Sequence, residues 1–224
     1  MKIVLQIVLW ILIIFLGWKL WNSISGPIKF NEIKEARYAK IIKNLKDIKA
    51  AQLAHQEIVG GFAGDFESLV RFVDTAEFAI TSRRDTFYAD VEKNKAYGLD
   101  PQTGGYIIET VIVDTLRFTP LKDSLYAGTD RYKTMMNVPI EEANGAKFEM
   151  KSGKLEKNKT VYSVFEARVS KDVVLGDLDK DLLTQEKQVV SVDGVNGKYI
   201  KVGSMEDVDT SGNWPKSYDS PDNQ

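Results

Sequence analysis

The strongest constraint on this chain is an apolar segment near its start, Ile3 to Trp21, whose strongly polar residues are Gln6 and Lys19. At about 1.5 Å per residue, a helix over this segment is roughly 28 Å long, close to the hydrocarbon thickness of a bilayer. Trp18 and Trp21 flank Lys19, as in the aromatic belt of a membrane–water interface. We therefore predict a transmembrane helix, called the apolar segment below.

The apolar segment has two interpretations. An uncleaved anchor, with its flank over residues 1–25, is favoured because the apolar run is longer than the about 7–15 residues of a signal-peptide core. A cleaved signal peptide is the alternative, with Ser23 and Ser25 before Gly26 as a faint cleavage site. Basic residues after the segment favour a cytoplasmic domain, but a very short tail before a long apolar run is typical of a signal-anchor. We predict a single-pass inner-membrane protein with a periplasmic C-terminal domain.

A long amphipathic helix is predicted from about Asn31 to Val59, after Gly26-Pro27. At about 100° per residue, five apolar residues fall within about 120° of one another. This stripe consists of Tyr38, Ile41, Ile42, Leu45 and Ile48. The opposite face is rich in lysine and suits either anionic lipid headgroups or plain solvation. Together with Gln6 and Trp10 of the apolar segment, the stripe is predicted to form the interface of a homo-oligomer.

A β-rich head is predicted to follow the helices. Gly60-Gly61 ends the long helix, and Asp65 caps a short helix from Phe66 to Asp74. Short β-branched or aromatic segments separated by turn residues then predict an antiparallel sheet. The predicted strands are Thr86–Val91, Tyr106–Val113, Lys147–Met150, Val161–Val169, Gln188–Val192 and Tyr199–Val202. The turn residues between them include Ser152-Gly153.

The predicted fold class is therefore α+β, with a transmembrane helix continuing into a long amphipathic helix, a short helix and a mainly antiparallel head. The predicted divisions are residues 1–25 (anchor), 26–75 (helices), 76–204 (head) and 205–224 (acidic, irregular tail). Trp214, in this polar tail, is expected to dock back on the head.

Composition excludes several kinds of chemistry. The absence of cysteine rules out disulfides, a thiol nucleophile and thiolate metal sites, and a Ser–His–Asp triad would depend on His55 alone. Asp177, Asp179 and Asp181 alternate as in a calcium loop, but Leu182 stands where an EF-hand requires glycine. A net charge of −2 gives no reason to expect nucleic acid as a partner. We predict no catalytic residue, cofactor or metal.

Two stretches carry a resemblance to known families. Ile48–Gln56 and Gly60–Val70 resemble the end of the long helix and the following turn in type IV pilins and type II secretion pseudopilins. The whole chain also resembles uncharacterised single-pass envelope proteins of Gram-negative bacteria. The segments that carry this second resemblance are Arg83–Thr86, Asp114–Pro120, Val164–Ala167, Gly203–Met205 and Gly212–Pro215. The resemblance implies a pilin-like lollipop, in which a long N-terminal helix carries a β-rich head.

These observations lead to two functional hypotheses. The first is a non-enzymatic, membrane-anchored structural subunit of an envelope assembly. Its expected partners are the lipid bilayer and further copies of itself or other envelope-assembly proteins. The second is a monomeric, membrane-anchored periplasmic module that binds a protein, peptide or glycan.

Overall fold

The computed structural model describes residues 2–100 and 104–219. The fold is α+β, with a long N-terminal helix and antiparallel sheets, as the sequence predicts. The chain divides into two compact units, one formed by residues up to 72 and from 130 onwards, the other by residues 73–129. The β-rich residues expected in a single head are therefore divided between two units, each with its own sheet.

Two helices come first along the chain, and strands interspersed with short helices then follow. In the chain they are α1 (Lys2–Val59), α2 (Phe66–Thr75), β1 (Glu77–Ala89), α3 (Val91–Tyr97), β2 (Ile107–Pro120), α4 (Leu121–Tyr126), β3 (Glu149–Lys157), β4 (Thr160–Ser170), α5 (Lys171–Leu175), α6 (Lys180–Glu186) and β5 (Tyr199–Gly203). Short 3-10 helices lie at Asp130–Thr134, Glu141–Ala143 and Lys216–Asp219. The strand order is β1-β2 in one sheet and β3-β4-β5 in the other, with every pairing antiparallel.

The two helices predicted on either side of Gly26-Pro27 form one helix, α1. A proline inside a helix removes one backbone hydrogen bond and costs about 3 kcal/mol. The helix nevertheless continues through Pro27, and the hydroxyl of Ser25 donates to the carbonyl of Trp21 at 2.8 Å in the turn before it. α1 ends where Gly60 adopts a φ of 85°, as a helix C-cap requires.

The stripe on α1 lies inside the first unit. Tyr38, Ile41, Ile42, Leu45 and Ile48 are each at most 1% exposed, and α1 packs against β4 and β5. This burial corrects the predicted oligomer interface, because the apolar area of the stripe is already covered by the same chain. Gln6 and Trp10, the other two predicted interface residues, are exposed.

The turn after α1 is tied back to the helix by a buried glutamine. The amide of Gln52, which is fully buried, donates to the carbonyl of Ala63 at 3.0 Å and accepts from its N–H at 2.9 Å. His55 Nδ1 lies 2.6 Å from the carbonyl oxygen of Gly61. Asp65 caps α2 by accepting from the N–H of Ser68 at 2.8 Å. These contacts give the Ile48–Gln56 and Gly60–Val70 stretches a structural role.

One turn prediction and one strand prediction are wrong. Ser152 and Gly153 lie within β3, and the β3–β4 hairpin turns instead at Asn158 and Lys159, whose φ angles are 53° and 64°. Such positive φ values at both turn residues match the twist of a two-residue hairpin. The residues from 188 to 192, predicted as a strand, form turns and irregular structure. Val190 and Val192 are 91% and 89% exposed, so no buried face holds this segment in a sheet.

The tail from residue 205 is anchored on the first unit as far as the structure describes it. Gly212 forms a bridge with Val202, and the side chain of Asn213 accepts from the N–H of Lys201 at 2.9 Å. Asp219 forms an ion pair with Lys46 of α1 at 3.0 Å. Residues 220–224 of the predicted tail lie outside the described residues.

Candidate interaction surface

The residues considered for catalysis or metal binding are used structurally. The ring of His55 packs edge-on against Phe72, with the ring centroids 4.7 Å apart. Asp179 caps α6 by accepting from the N–H groups of Asp181 and Leu182. In residues 2–100 and 104–219, no three histidine, cysteine, aspartate or glutamate side chains lie close enough together to hold a metal ion.

A buried ion cluster connects α1 with α5 and α6. The ammonium of Lys171 is fully buried and donates to the backbone carbonyls of Glu186 and Val195, both at 2.7 Å, and to the Glu186 carboxylate at 3.0 Å. That carboxylate also accepts from the Tyr38 hydroxyl at 3.2 Å and from Lys34 at 3.1 Å. Burial lowers the pKa of Lys171 and raises that of Tyr38. Since every donor of Lys171 has an acceptor, we interpret the ion cluster as a structural link.

A second charged contact involves Arg37, which lies between Lys34 and Tyr38 on α1. Arg37 donates to the carbonyl of Val174 at 2.7 Å and forms a two-pronged pair with Asp177, one prong measuring 2.8 Å. Glu142 lies 2.9 Å from the same guanidinium. Asp177, one of the three alternating aspartates, therefore has a cationic partner on α1.

This pair predicts an acid dependence of stability. The hydrogen bond from Arg37 lowers the pKa of Asp177 below its ordinary value. A carboxyl whose pKa is depressed in the folded state contributes stability above its unfolded pKa of about 3.9 and loses it as pH falls through the folded pKa. We expect Asp177→Asn to flatten the fall in unfolding free energy below about pH 4, measured by urea unfolding at a series of pH values. Unchanged slopes would contradict the assignment.

The second unit contains a long two-stranded ribbon formed by β1 and β2. The strands have 13 and 14 residues and pair antiparallel, from Ala89 opposite Ile107 to Glu77 opposite Pro120. A bulge between Ile80 and Thr81 makes the register skip Leu116. Within the described residues, each ribbon strand pairs only with the other.

Both faces of the ribbon carry exposed apolar side chains. Residues at alternate positions point to opposite faces, so Ile108 and Ile112 lie on one face and Val111 and Val113 on the other. The exposed large apolar side chains of the two strands are Phe87, Tyr88, Ile107, Ile108, Val111, Ile112, Val113, Leu116 and Phe118. Val113, for example, is 54% exposed. An isolated hairpin is at best marginally stable in water, and large exposed apolar patches are typical of interaction sites.

The free edge of β2 has few of the residues that usually prevent strands from associating, since its charged residues between Ile107 and Leu116 are Glu109 and Asp114. Between Ile107 and Leu116 the strand has no lysine, arginine or proline. Native sheets commonly protect exposed edges with such residues, because unpaired backbone groups are a template for another strand. β1 carries Arg83, Arg84 and Asp85 over the corresponding length.

The apolar segment is a further exposed apolar surface. It forms the first third of α1, the one described helix that is long and apolar enough to cross a membrane, and it has no buried residue in that stretch. Gln6 and Trp10 both lie in this segment.

Sequence reasoning found the two ribbon strands in part. It ended the second strand at Val113, seven residues before β2 ends at Pro120, and began the first at Thr86 although β1 starts at Glu77. The consecutive apolar residues Val111, Ile112 and Val113 were the available signal, since a strand with one solvated face alternates instead.

Comparison of the chain with protein-family models, with curated proteins and with solved structures finds no match.

Proposed function

We propose that this protein is a non-enzymatic, membrane-anchored structural subunit of a bacterial envelope assembly, single-pass in the inner membrane with its C-terminal residues in the periplasm. The observation that carries the proposal is the ribbon, whose exposed apolar side chains and free β2 edge suit association with another protein strand. The apolar segment supports the membrane anchor.

The proposed mechanism is packing between copies of the protein that are confined to one membrane. Copies anchored in one membrane meet at a high effective concentration, so a modest contact suffices for assembly. The ribbon supplies that contact, and the apolar segment, with Gln6, can add helix contacts within the bilayer. The stripe is left out of this mechanism because it is core. The ion cluster instead holds α1 to α5 and α6.

One observation favours the alternative function, a monomeric anchored binding module. A cleft of about 450 Å³ on the first unit is lined by polar and aromatic side chains. Its lining includes Lys46, Lys49, Lys216, Asp219 and Trp214. The Trp214 indole lies so close to Gly212 that a Cβ there would be 2.4 Å from the ring. Because Lys46 is paired with Asp219, Lys49 and Lys216 beside the aromatic ring are the cations that would meet an anionic ligand.

The mass of the full-length protein in mild detergent distinguishes these functions. We expect a defined multimer by light scattering, and Val111→Lys combined with Val113→Lys should raise its dissociation constant at least about tenfold. The reason is that each valine that a second copy covers contributes about 1.5 kcal/mol or more, and about 1.4 kcal/mol is a factor of ten. The matched control is Val190→Lys with Val192→Lys, which places the same charges at two other exposed valines. A monomeric wild-type protein would contradict the structural-subunit proposal.

A further inference from the structure

We propose that two copies associate by antiparallel pairing of their β2 edges, centred on Ile112, so that two ribbons become one four-stranded sheet in the order β1–β2–β2–β1. This inference rests on the proposed self-association and specifies its surface and register.

The choice of edge follows from charge. Over the length from Thr81 to Ala89, β1 has two adjacent arginines, Arg83 and Arg84, and the exposed guanidinium of Arg84 is paired with Asp114 at 3.1 Å across the ribbon. Two β1 edges brought together would place four arginines near one another against two aspartates, counting Arg83, Arg84 and Asp85 of each copy. β2 has Glu109 and Asp114 as its charged residues between Ile107 and Leu116, five positions apart. The β2 edge is therefore the better strand template.

A second copy is the proposed partner because part of β2 is a palindrome: its order of polar and apolar residues is the same in both chain directions. Residues 109–115 read Glu-Thr-Val-Ile-Val-Asp-Thr, which is two polar residues, three β-branched apolar residues and two polar residues. When two identical antiparallel strands are related by a two-fold axis, the residue numbers of every facing pair add up to the same value. With Ile112 on the axis, Ile112 faces Ile112 of the second copy and Val111 faces Val113.

The polar residues match in the same register. Thr110 lies opposite Asp114 and Glu109 opposite Thr115, so no two acids are directly opposed and each carboxylate faces a hydroxyl donor. Directly opposed β-branched and hydrogen-bonding pairs each stabilise a sheet, whereas directly opposed like charges destabilise it.

Other registers lose this match. An axis on Val111 places Glu109 opposite Val113 and Ile108 opposite Asp114. An axis on Thr110 places Glu109 opposite Val111, and an axis on Val113 places Ile112 opposite Asp114. Each of these leaves carboxylates facing apolar side chains, which costs their hydration without a hydrogen bond. The register centred on Ile112 is thus selected by the chain's own sequence.

The absence of cysteine makes the register directly testable. A single Ile112→Cys substitution places two thiols on the axis, within the about 4.4–6.8 Å between Cα atoms that a disulfide spans. The matched control is Arg84→Cys, because Arg84 lies directly opposite Ile112 on β1. In the four-stranded sheet the two control thiols are three strand spacings apart, roughly 14 Å.

The experiment uses full-length protein in native membranes under mild oxidation, read as dimer on a non-reducing gel. We expect Ile112→Cys to give at least about fivefold more disulfide-linked dimer than Arg84→Cys, since the control separation exceeds disulfide reach. Equal yields would overturn the β2-edge pairing. Mixed copies carrying Val111→Cys and Val113→Cys should also cross-link better than either alone, and the reverse would overturn the register.

Failure of the pairing and failure of the proposed function are distinguishable. If the wild-type mass shows a multimer while Ile112→Cys does not cross-link above its control, self-association stands and this interface is wrong. If the wild-type protein is a monomer at every concentration, both proposals are wrong.

Discussion

Replacing Leu12 and Ile13 by aspartate is expected to release the protein from the membrane. Both residues lie near the middle of the apolar segment and are exposed. An aspartate at the centre of a spanning helix costs about 2.5–3.5 kcal/mol on insertion scales, so the two together cost about 5–7 kcal/mol. The measurement is the fraction of protein that sediments with membranes after an alkaline carbonate wash.

The control for this experiment places the same charges elsewhere. Val190→Asp with Val192→Asp alters two exposed valines of the first unit and should leave the sedimenting fraction unchanged. If the Leu12→Asp, Ile13→Asp protein remained in carbonate-washed membranes, the apolar segment would not be the anchor.

Breaking the ion cluster is expected to have the largest effect on stability. Glu186→Leu removes the carboxylate that pairs with the buried ammonium of Lys171 at 3.0 Å. Removing one partner of a buried pair leaves an uncompensated charge and costs about 3–5 kcal/mol. We expect the free energy of unfolding, measured by urea titration of the full-length protein in detergent, to fall by that amount.

An exposed pair provides the matched control. Glu67 pairs with Arg71 at 3.0 Å, and both side chains are more than two-thirds exposed. Glu67→Leu should therefore change stability by less than about 1 kcal/mol. The double variant Lys171→Met, Glu186→Leu should recover most of the loss, because an apolar pair often replaces a buried ion pair without cost. A double variant as unstable as Glu186→Leu would show that Lys171 is not the source of the effect.

The parts of the fold that depend on local pattern were predictable. The helical periodicity around Leu45 identified the stripe, and Asp65 and Gly60 were recognised as the cap of α2 and the end of α1. Capping and φ preferences depend on a few neighbouring residues, so a single sequence contains them. The partner of the stripe was not predictable, since the same apolar face can pack on a second copy or on the chain's own sheet.

The interaction surface was only partly predictable for a related reason. Val111 to Val113 identified a strand, but a strand's number of neighbours depends on contacts between residues distant in sequence. Gln188–Val192 illustrates the converse, because its β-branched residues predicted a strand that finds no partner in the structure. The palindrome is present in the sequence, yet it gains meaning once β2 is known to extend past Val113 with a free edge.

The sequence alone determined the apolar segment, the helical stripe, the main strands and the absence of thiol chemistry, because each depends on composition or on short-range periodicity. The tertiary structure decided which apolar surfaces remain available. It buried Ile41 and Leu45 inside the first unit and left the ribbon's apolar side chains exposed. Burial depends on long-range contacts, so only the folded chain distinguishes an apolar residue that holds the core from one that remains exposed for a partner.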